Sequence, residues 1–297
     1  MNQKKKKNST KQQVEVSFEF FPPKSSESEK RLWETVKQLA PLKPRFVSVT
    51  YGADGSTRDR THRIVSRINS ETKLTGAPHL TCVDASSDQV NSIAKNYWNE
   101  GVRHIVALRG DPPSGADYFE PHPEGYHHAS DLVKGLKKLA DFEISVAAYP
   151  ETHPEAKSQT DDLENLKRKL NAGANRAITQ FFFDSDVFLR FRDLALKTGI
   201  IAPIVPGILP ISNFSSMLRF ANACGASVPL WLHKRFEGLE DDQEAQSEIS
   251  ASVAIDTVEK LRMHGVKEFH FYTLNRAELT YAICDGLGVR PNTPKSV

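Results

Sequence analysis

Cysteine is scarce in this chain: Cys82, Cys224 and Cys284 are the three among 297 residues, odd in number and far apart. With no Cys-x-x-Cys pair, neither a disulfide framework nor a zinc knuckle is expected. A reducing, cytoplasmic compartment fits that usage. Long apolar runs are also missing. No stretch reaches the ~20 residues a membrane-spanning helix needs, so no membrane partner is expected. Charge of one sign is nearly absent, since 39 Lys and Arg oppose 37 Asp and Glu for a formal net charge of +2. That balance gives no strong field for nucleic acid. Much of the basic excess lies in residues 4–7, all lysine. Residues 1–13 read as a disordered basic tail, and no apolar signal-peptide core follows it.

What is present is alternation. Short β-branched and aromatic runs predict strands at residues 14–21, 46–50, 77–82, 104–108, 144–149, 177–182, 204–207 and 269–273. Between them the helical period predicts helices at 27–39, 60–68, 87–99, 130–139, 159–172, 185–197, 212–223, 243–264 and 276–286. Eight strands each followed by helix predict a (β/α)8 TIM barrel, a single α/β domain over residues 14–297. The open doubly wound sheet is the alternative, but no Gly-x-Gly-x-x-Gly turn follows any strand. The gap between strands seven and eight is too long for one helix and calls for extra helices there. Residues 110–125, rich in Pro, Gly and His, read as a long loop at the barrel mouth.

Active sites of such barrels lie at the C-terminal ends of the strands, and those ends carry a concentrated polar set. The first strand, Val-Ser-Phe-Glu-Phe-Phe-Pro-Pro from Val16 to Pro23, puts Ser17, Glu19 and Phe21 on one face and Phe18 and Phe20 on the other. The prolines must stop it. Glu19 is then expected among aromatic rings, where desolvation would raise its pKa toward a general acid's range; the alternative is an edge-strand carboxylate in water. Later strand ends supply Thr50, Tyr51, His79, Arg109, Gly110, Asp111, Tyr149, His153, Gln180, Tyr272 and Arg276.

On the helix predicted from residue 159, Asp162, Asn165 and Lys169 share a face, with Arg168 on its flank. Such a stripe suits a nucleotide, with cations for pyrophosphate and an acid for a ribose hydroxyl. It suits a solvated face with ordinary i,i+4 pairs equally well, and the pattern leaves both open. His122, His127 and His128 lack supporting Cys or carboxylate spacing, so no metal site is expected. Trp33, Trp98 and Trp231 read as packing residues.

Taken together, the first-strand motif, Pro-His-Leu-Thr-Cys, His-Ile-Val-Ala-Leu-Arg-Gly-Asp, Val-Ala-Ala-Tyr-Pro-Glu, Ile-Thr-Gln-Phe-Phe-Phe-Asp, Pro-Gly-Ile-Leu-Pro and Phe-Tyr-Thr-Leu-Asn-Arg resemble the methylenetetrahydrofolate reductase family. They span nearly all the chain outside the tail. The closest likeness is to the bacterial, catalytic-domain-only form, because no room remains before Val297 for the S-adenosylmethionine-binding domain of larger eukaryotic relatives. The resemblance implies a bound FAD lying across the barrel top. It also implies NADH or NADPH as hydride donor and 5,10-methylenetetrahydrofolate as acceptor, used in turn at one site. The product, 5-methyltetrahydrofolate, would supply methyl groups for methionine synthesis. A homo-oligomer is implied, with a tetramer favoured.

Carried onto this chain, the resemblance makes Glu19 the general acid and Asp111 the second catalytic residue, tuning the flavin and binding the folate ring. Flavin contacts would be Tyr51, Ala53, His79, Arg109, Gly110, Asp111, Ala129, Tyr149, His153, Ala156, Asp162, Asn165, Arg168 and Lys169. Substrate contacts would be Thr50, Asp111, Gln180, Phe220, Tyr272 and Arg276. Ser216 stands where a bacterial relative has a folate-contacting Gln. Competing readings are another flavin-bearing barrel such as proline dehydrogenase, a cofactor-free lyase using Glu19 and Asp111, and a non-catalytic folate-binding protein. A bound yellow chromophore would exclude the lyase.

Overall fold

The computed structural model describes residues 14–51, 58–112, 115 and 118–291. The predicted tail and Ala53 lie outside them. Eight parallel strands close into a barrel in sequential order: β1 (Glu15–Phe20), β2 (Val47–Val49), β3 (Gly76–Thr81), β4 (His104–Leu108), β5 (Glu143–Ala148), β6 (Arg176–Phe181), β7 (Ile204–Ile208) and β8 (Glu268–Tyr272). Six helices follow the first six strands: α1 (Ser26–Leu39), α2 (Arg58–Glu71), α3 (Ser87–Asn99), α4 (Ala129–Leu139), α5 (Gln159–Asn171) and α6 (Ser185–Lys197). Between β7 and β8 lie α7 (Phe214–Cys224), α8 (Leu230–Phe236) and α9 (Gln243–Met263), and α10 (Ala277–Gly286) follows β8. The short α8 fills the expected extra-helix region.

Local chemistry sets the helix starts. Ser25 and Ser86 form reciprocal capping boxes with Ser28 and Gln89, and Ser158 accepts the Asp161 N–H at the head of α5. The apolar strand faces turn outward against the helices: Phe18, Phe20, Val47 and Phe271 pack with Leu32, Ile64, Val258 and Ile283. A second cluster joins Ile105, Ile144 and Ala177 to Leu132, Leu166 and Phe191.

The barrel interior is mixed. Phe46, Ala77, Val106, Ile178 and Val205 form its apolar layer, and Ser17, His104, Ser145, Arg176 and His270 are buried alongside. At the N-terminal mouth Arg176 pairs with Glu143, and Arg45 reaches Glu15 and Glu268 at 3.3 Å each. These polar residues alternate with outward apolar ones, as a strand period of two requires.

Trp33 and Trp98 pack as expected, under the guanidinium groups of Arg67 and Arg103. Trp231 does not: it is 44% exposed on α8. That helix is a single two-turn segment whose buried anchors are Leu232 and Phe236, so Trp231 falls on its outer side.

Candidate active site

A cavity of about 1060 Å³ opens over the C-terminal ends of β1 to β5. Small-molecule pockets usually measure about 300–1,000 Å³, so this one has room for a dinucleotide. Thr50, Tyr51, His79, Arg109, Gly110, Asp111, Ala129, Tyr149, His153, Ala156, Asp162, Asn165, Arg168 and Lys169 all line it. The sequence stripe on α5 therefore faces the cavity rather than solvent.

The walls are charged and tied down by hydrogen bonds. Lys169 is buried, donates to the Ala147 carbonyl at 2.6 Å and lies beside Asp162. Burial pushes its ammonium down to about 8, with Asp162 offsetting part of the effect. Asp162 is fixed by the His153 N–H at 2.8 Å. The His153 ring stands edge-on to Tyr149 with centroids 4.5 Å apart. His153 Nδ1 accepts the Glu155 N–H, leaving its other nitrogen to carry the proton of the neutral ring. Arg109 is held in a two-pronged pair with Glu155, at 2.7 and 3.0 Å. Gly110, at φ +92°, suits the left-handed turn after β4, and a Cβ there would come within 2.9 Å of Val83. The donor set fits FAD. Arg109, Arg168 and Lys169 can meet a pyrophosphate, and Asp162 and Asn165 can meet ribityl or ribose hydroxyls. The buried Thr81 hydroxyl lacks a partner among the described residues and lies in the cavity wall.

Glu19 does not line this cavity but touches its wall through His79. Its register neighbours are Ser48 on β2 and Tyr272 on β8. Oε2 lies 3.2 Å from His79 Nε2, 3.5 Å from His270 Nε2 and 3.5 Å from Ser48 Oγ. The environment expected from the sequence, a carboxyl raised by aromatic desolvation, is not what the fold builds. Burial does raise it, but the His79 and His270 rings beside its oxygen outweigh burial, and Glu19 is pushed down to about 2. The ionised carboxylate is thus the resting form.

The remaining substrate candidates, Gln180, Phe220, Tyr272 and Arg276, do not line this cavity. Tyr272 donates to the Thr179 carbonyl at 2.7 Å and sets its ring edge against Phe181. Phe220, 40% exposed on α7, stacks on Phe181 with centroids 5.2 Å apart. The Gln180 side-chain oxygen folds back onto the Phe181 N–H. Gly207 permits this packing: a Cβ there would meet the Thr179 carbonyl oxygen and come within 2.6 Å of Tyr272. Arg276 lines a separate cavity of about 420 Å³ with Gln243, Ser247 and Thr273. Ser216 accepts from Arg219 at the start of α7.

The methylenetetrahydrofolate reductase family model matches residues 4–288. The chain belongs to that family. It is 58% identical over 279 residues to the 5,10-methylenetetrahydrofolate reductase of Escherichia coli, covering 94% of this chain and 92% of that one. Identity to the Buchnera aphidicola (Schizaphis graminum) protein of the same name is 50% over 289 residues, covering 96% of both. Membership makes it an oxidoreductase. A Clostridium thermocellum protein that binds two copies of 5-methyl-5,6,7,8-tetrahydrofolic acid has the same fold, with TM-score 0.61 at 16% identity, covering 94% of this chain and 96% of that one.

Sequence reasoning missed His270, Ser48 and Thr81. The signal for His270 was available, because it lies two residues before Tyr272 on the same strand face. Which residues it meets is fixed by barrel closure, not by spacing.

Proposed function

We propose that this chain reduces 5,10-methylenetetrahydrofolate to 5-methyltetrahydrofolate with FAD as resident cofactor and NADH or NADPH as reductant, the two substrates using one site in turn. The observation that carries the reading is His79, which both lines the large cavity and contacts the buried Glu19. A cation-walled dinucleotide cavity and an acid–base carboxylate thus share one wall. Bound flavin supplies the hydride store between the two substrates.

The chain's own residues do the rest. Arg109, Arg168 and Lys169 hold the pyrophosphate, and Asp162 and Asn165 orient the sugar hydroxyls. Asp111 puts a negative charge beside the flavin and the pterin, while Thr50 meets the nicotinamide nucleotide. Phe220, exposed and stacked on Phe181, is placed to cover whichever planar substrate enters, with Gln180 and Tyr272 alongside. Arg276 meets the folate's anionic tail. Glu19 delivers the proton that opens the folate's five-membered ring: the C–N10 bond breaks, its electron pair takes that proton, and the exposed iminium carbon accepts hydride. The protein acts as a homo-oligomer, with a tetramer the expected size.

Measuring the half-reactions apart tests the proposal. Glu19→Gln is expected to leave flavin reduction by NADH nearly intact. Folate-dependent reoxidation should slow by about 10²–10⁴-fold, the usual worth of a general acid. Equal losses in both would make Glu19 structural, and wild-type protein that carries no flavin would sink the reading altogether.

A further inference from the structure

Glu19 is the proposed proton donor, yet in the fold it rests as a carboxylate with no proton to give. It is 8% exposed, and the groups around its carboxyl are few. From β3 comes His79 and from β8 come His270 and Tyr272; Ser48 on β2 is uncharged. Tyr272 carries no positive charge, and its hydroxyl is spent on the Thr179 carbonyl. A buried carboxylate without a countercharge is costly, and the nearest side chains that can supply one are these two imidazoles.

We infer that Glu19, His79 and His270 share one stored proton, which rests on the histidines and passes through Glu19 to the substrate nitrogen during ring opening. The inference rests on the functional reading above and supplies its missing proton source. Both Nε2 atoms are buried and have no hydrogen-bond partner of standard geometry among the described residues, and each lies within ion-pair distance of Glu19 Oε2. All three contacts fall on Oε2, the oxygen that takes up the proton.

The two histidines have different duties. His79 belongs to the cavity wall and is the point where solvent can restore the proton. His270 is sealed, and its Nδ1 lies 2.7 Å from Ser17 Oγ. Ser17 can serve either charge state. It accepts from Nδ1 of the imidazolium and equally from Nδ1 of the neutral ring left once Nε2 has given up its proton, turning its own proton toward the Phe269 carbonyl, 3.5 Å away. His270 is therefore a positioning residue, acting through Glu19.

The other buried His–Ser pair shows why the carboxylate matters. His104 Nε2 meets Ser145 Oγ at 2.8 Å, but among the described residues no carboxylate pairs with it. Burial and the charge of Arg176 hold that ring down to about 3, so it stays neutral. Phe46 lies between His104 and His270, with ring centroids 4.3 and 5.7 Å away, and separates the two pairs. The deeper cations Arg176 and Arg45 are answered by Glu143, Glu15 and Glu268.

The proton balance closes. Each turnover moves one proton from an imidazolium to Glu19 and on to N10, and a bound flavin would supply the hydride that balances it. The cluster is then left one proton short until His79 regains it from water.

Magic-angle-spinning ¹⁵N spectra of histidine-labelled, flavin-loaded protein at pH 7.5 read the stored proton directly. His79→Gln and His270→Asn assign the signals. One imidazolium's worth of signal across the two rings is expected, and it should vanish in Glu19→Gln. Two neutral rings in the wild type, or an imidazolium indifferent to Glu19→Gln, would overturn the inference. In kinetics, His270→Asn should slow folate-dependent reoxidation about 10–100-fold and move its alkaline limb to lower pH, with flavin reduction changed less than about threefold. Ser17→Ala should show the same shift more weakly and guards against a misfolded His270 variant. Equal loss in both half-reactions with an unmoved limb would make His270 purely structural and refute its role. Failure of wild-type folate-dependent reoxidation would instead defeat the functional reading, while the spectra still report where the proton rests.

Discussion

Lys169 gives the sharpest test of the cavity's electrostatics. Its side chain is 6% exposed, with one hydrogen bond to a backbone carbonyl and one nearby carboxylate. A drop from 10.5 to about 8 costs the folded, ligand-free protein about 3 kcal/mol wherever the group is charged, at about 1.4 kcal/mol per tenfold. The sign follows from proton counting. Between pH 8 and 10.5 the unfolded chain keeps the Lys169 proton and the folded one gives it up, so stability rises with pH across that window and the penalty is constant below it. Lys169→Met keeps most of the stem volume, removes the charge and loses a hydrogen bond worth about 1 kcal/mol. Urea unfolding of ligand-free protein should find the variant more stable by about 2 kcal/mol at pH 7. By pH 10.5 it should be less stable by about 1 kcal/mol. The difference between the two proteins isolates Lys169 from the other groups that titrate there. A variant less stable at pH 7, or a difference that does not change sign, would refute the argument. FAD should restore the ammonium, so calorimetry near pH 9 in buffers of differing ionisation heat should detect proton uptake on binding that Lys169→Met abolishes.

Other perturbations follow from the same geometry. Gly207→Ala should destabilise by about 3 kcal/mol in denaturant unfolding, the upper end for overpacking, because its Cβ meets a backbone carbonyl as well as Tyr272; a neutral result would mean β7 has room there. Asp111→Asn should make a bound flavin easier to reduce by roughly 1 kcal/mol, about 20 mV for a two-electron couple, since Asp111 is exposed and well screened. An unchanged potential in spectroelectrochemical titration would remove Asp111 from the flavin's neighbourhood.

The barrel was legible because its signals are local. Alternation with period two put Ser17 and Glu19 on one strand face and Phe18 and Phe20 on the other, and the helical period put Asp162, Asn165 and Lys169 on one face. Prolines 22 and 23 end β1 as expected, at Phe20. Trp231 was misjudged because an isolated two-turn helix has too little periodicity to say which side is buried.

The state of Glu19 lay beyond local reading. A glutamate in an apolar strand has a raised pKa if burial acts alone, and the sequence contains only that half of the balance. His79 and His270 come from distant strands, and only closure of β8 onto β1 brings the second to the same oxygen. Electrostatic energy depends on separations of a few ångströms, which chain order does not encode. The sequence by itself determined the strands, the longer helices and which of their residues share a face. The tertiary structure alone decided which charges meet, and with them the protonation of the carboxylate on which the proposed chemistry turns.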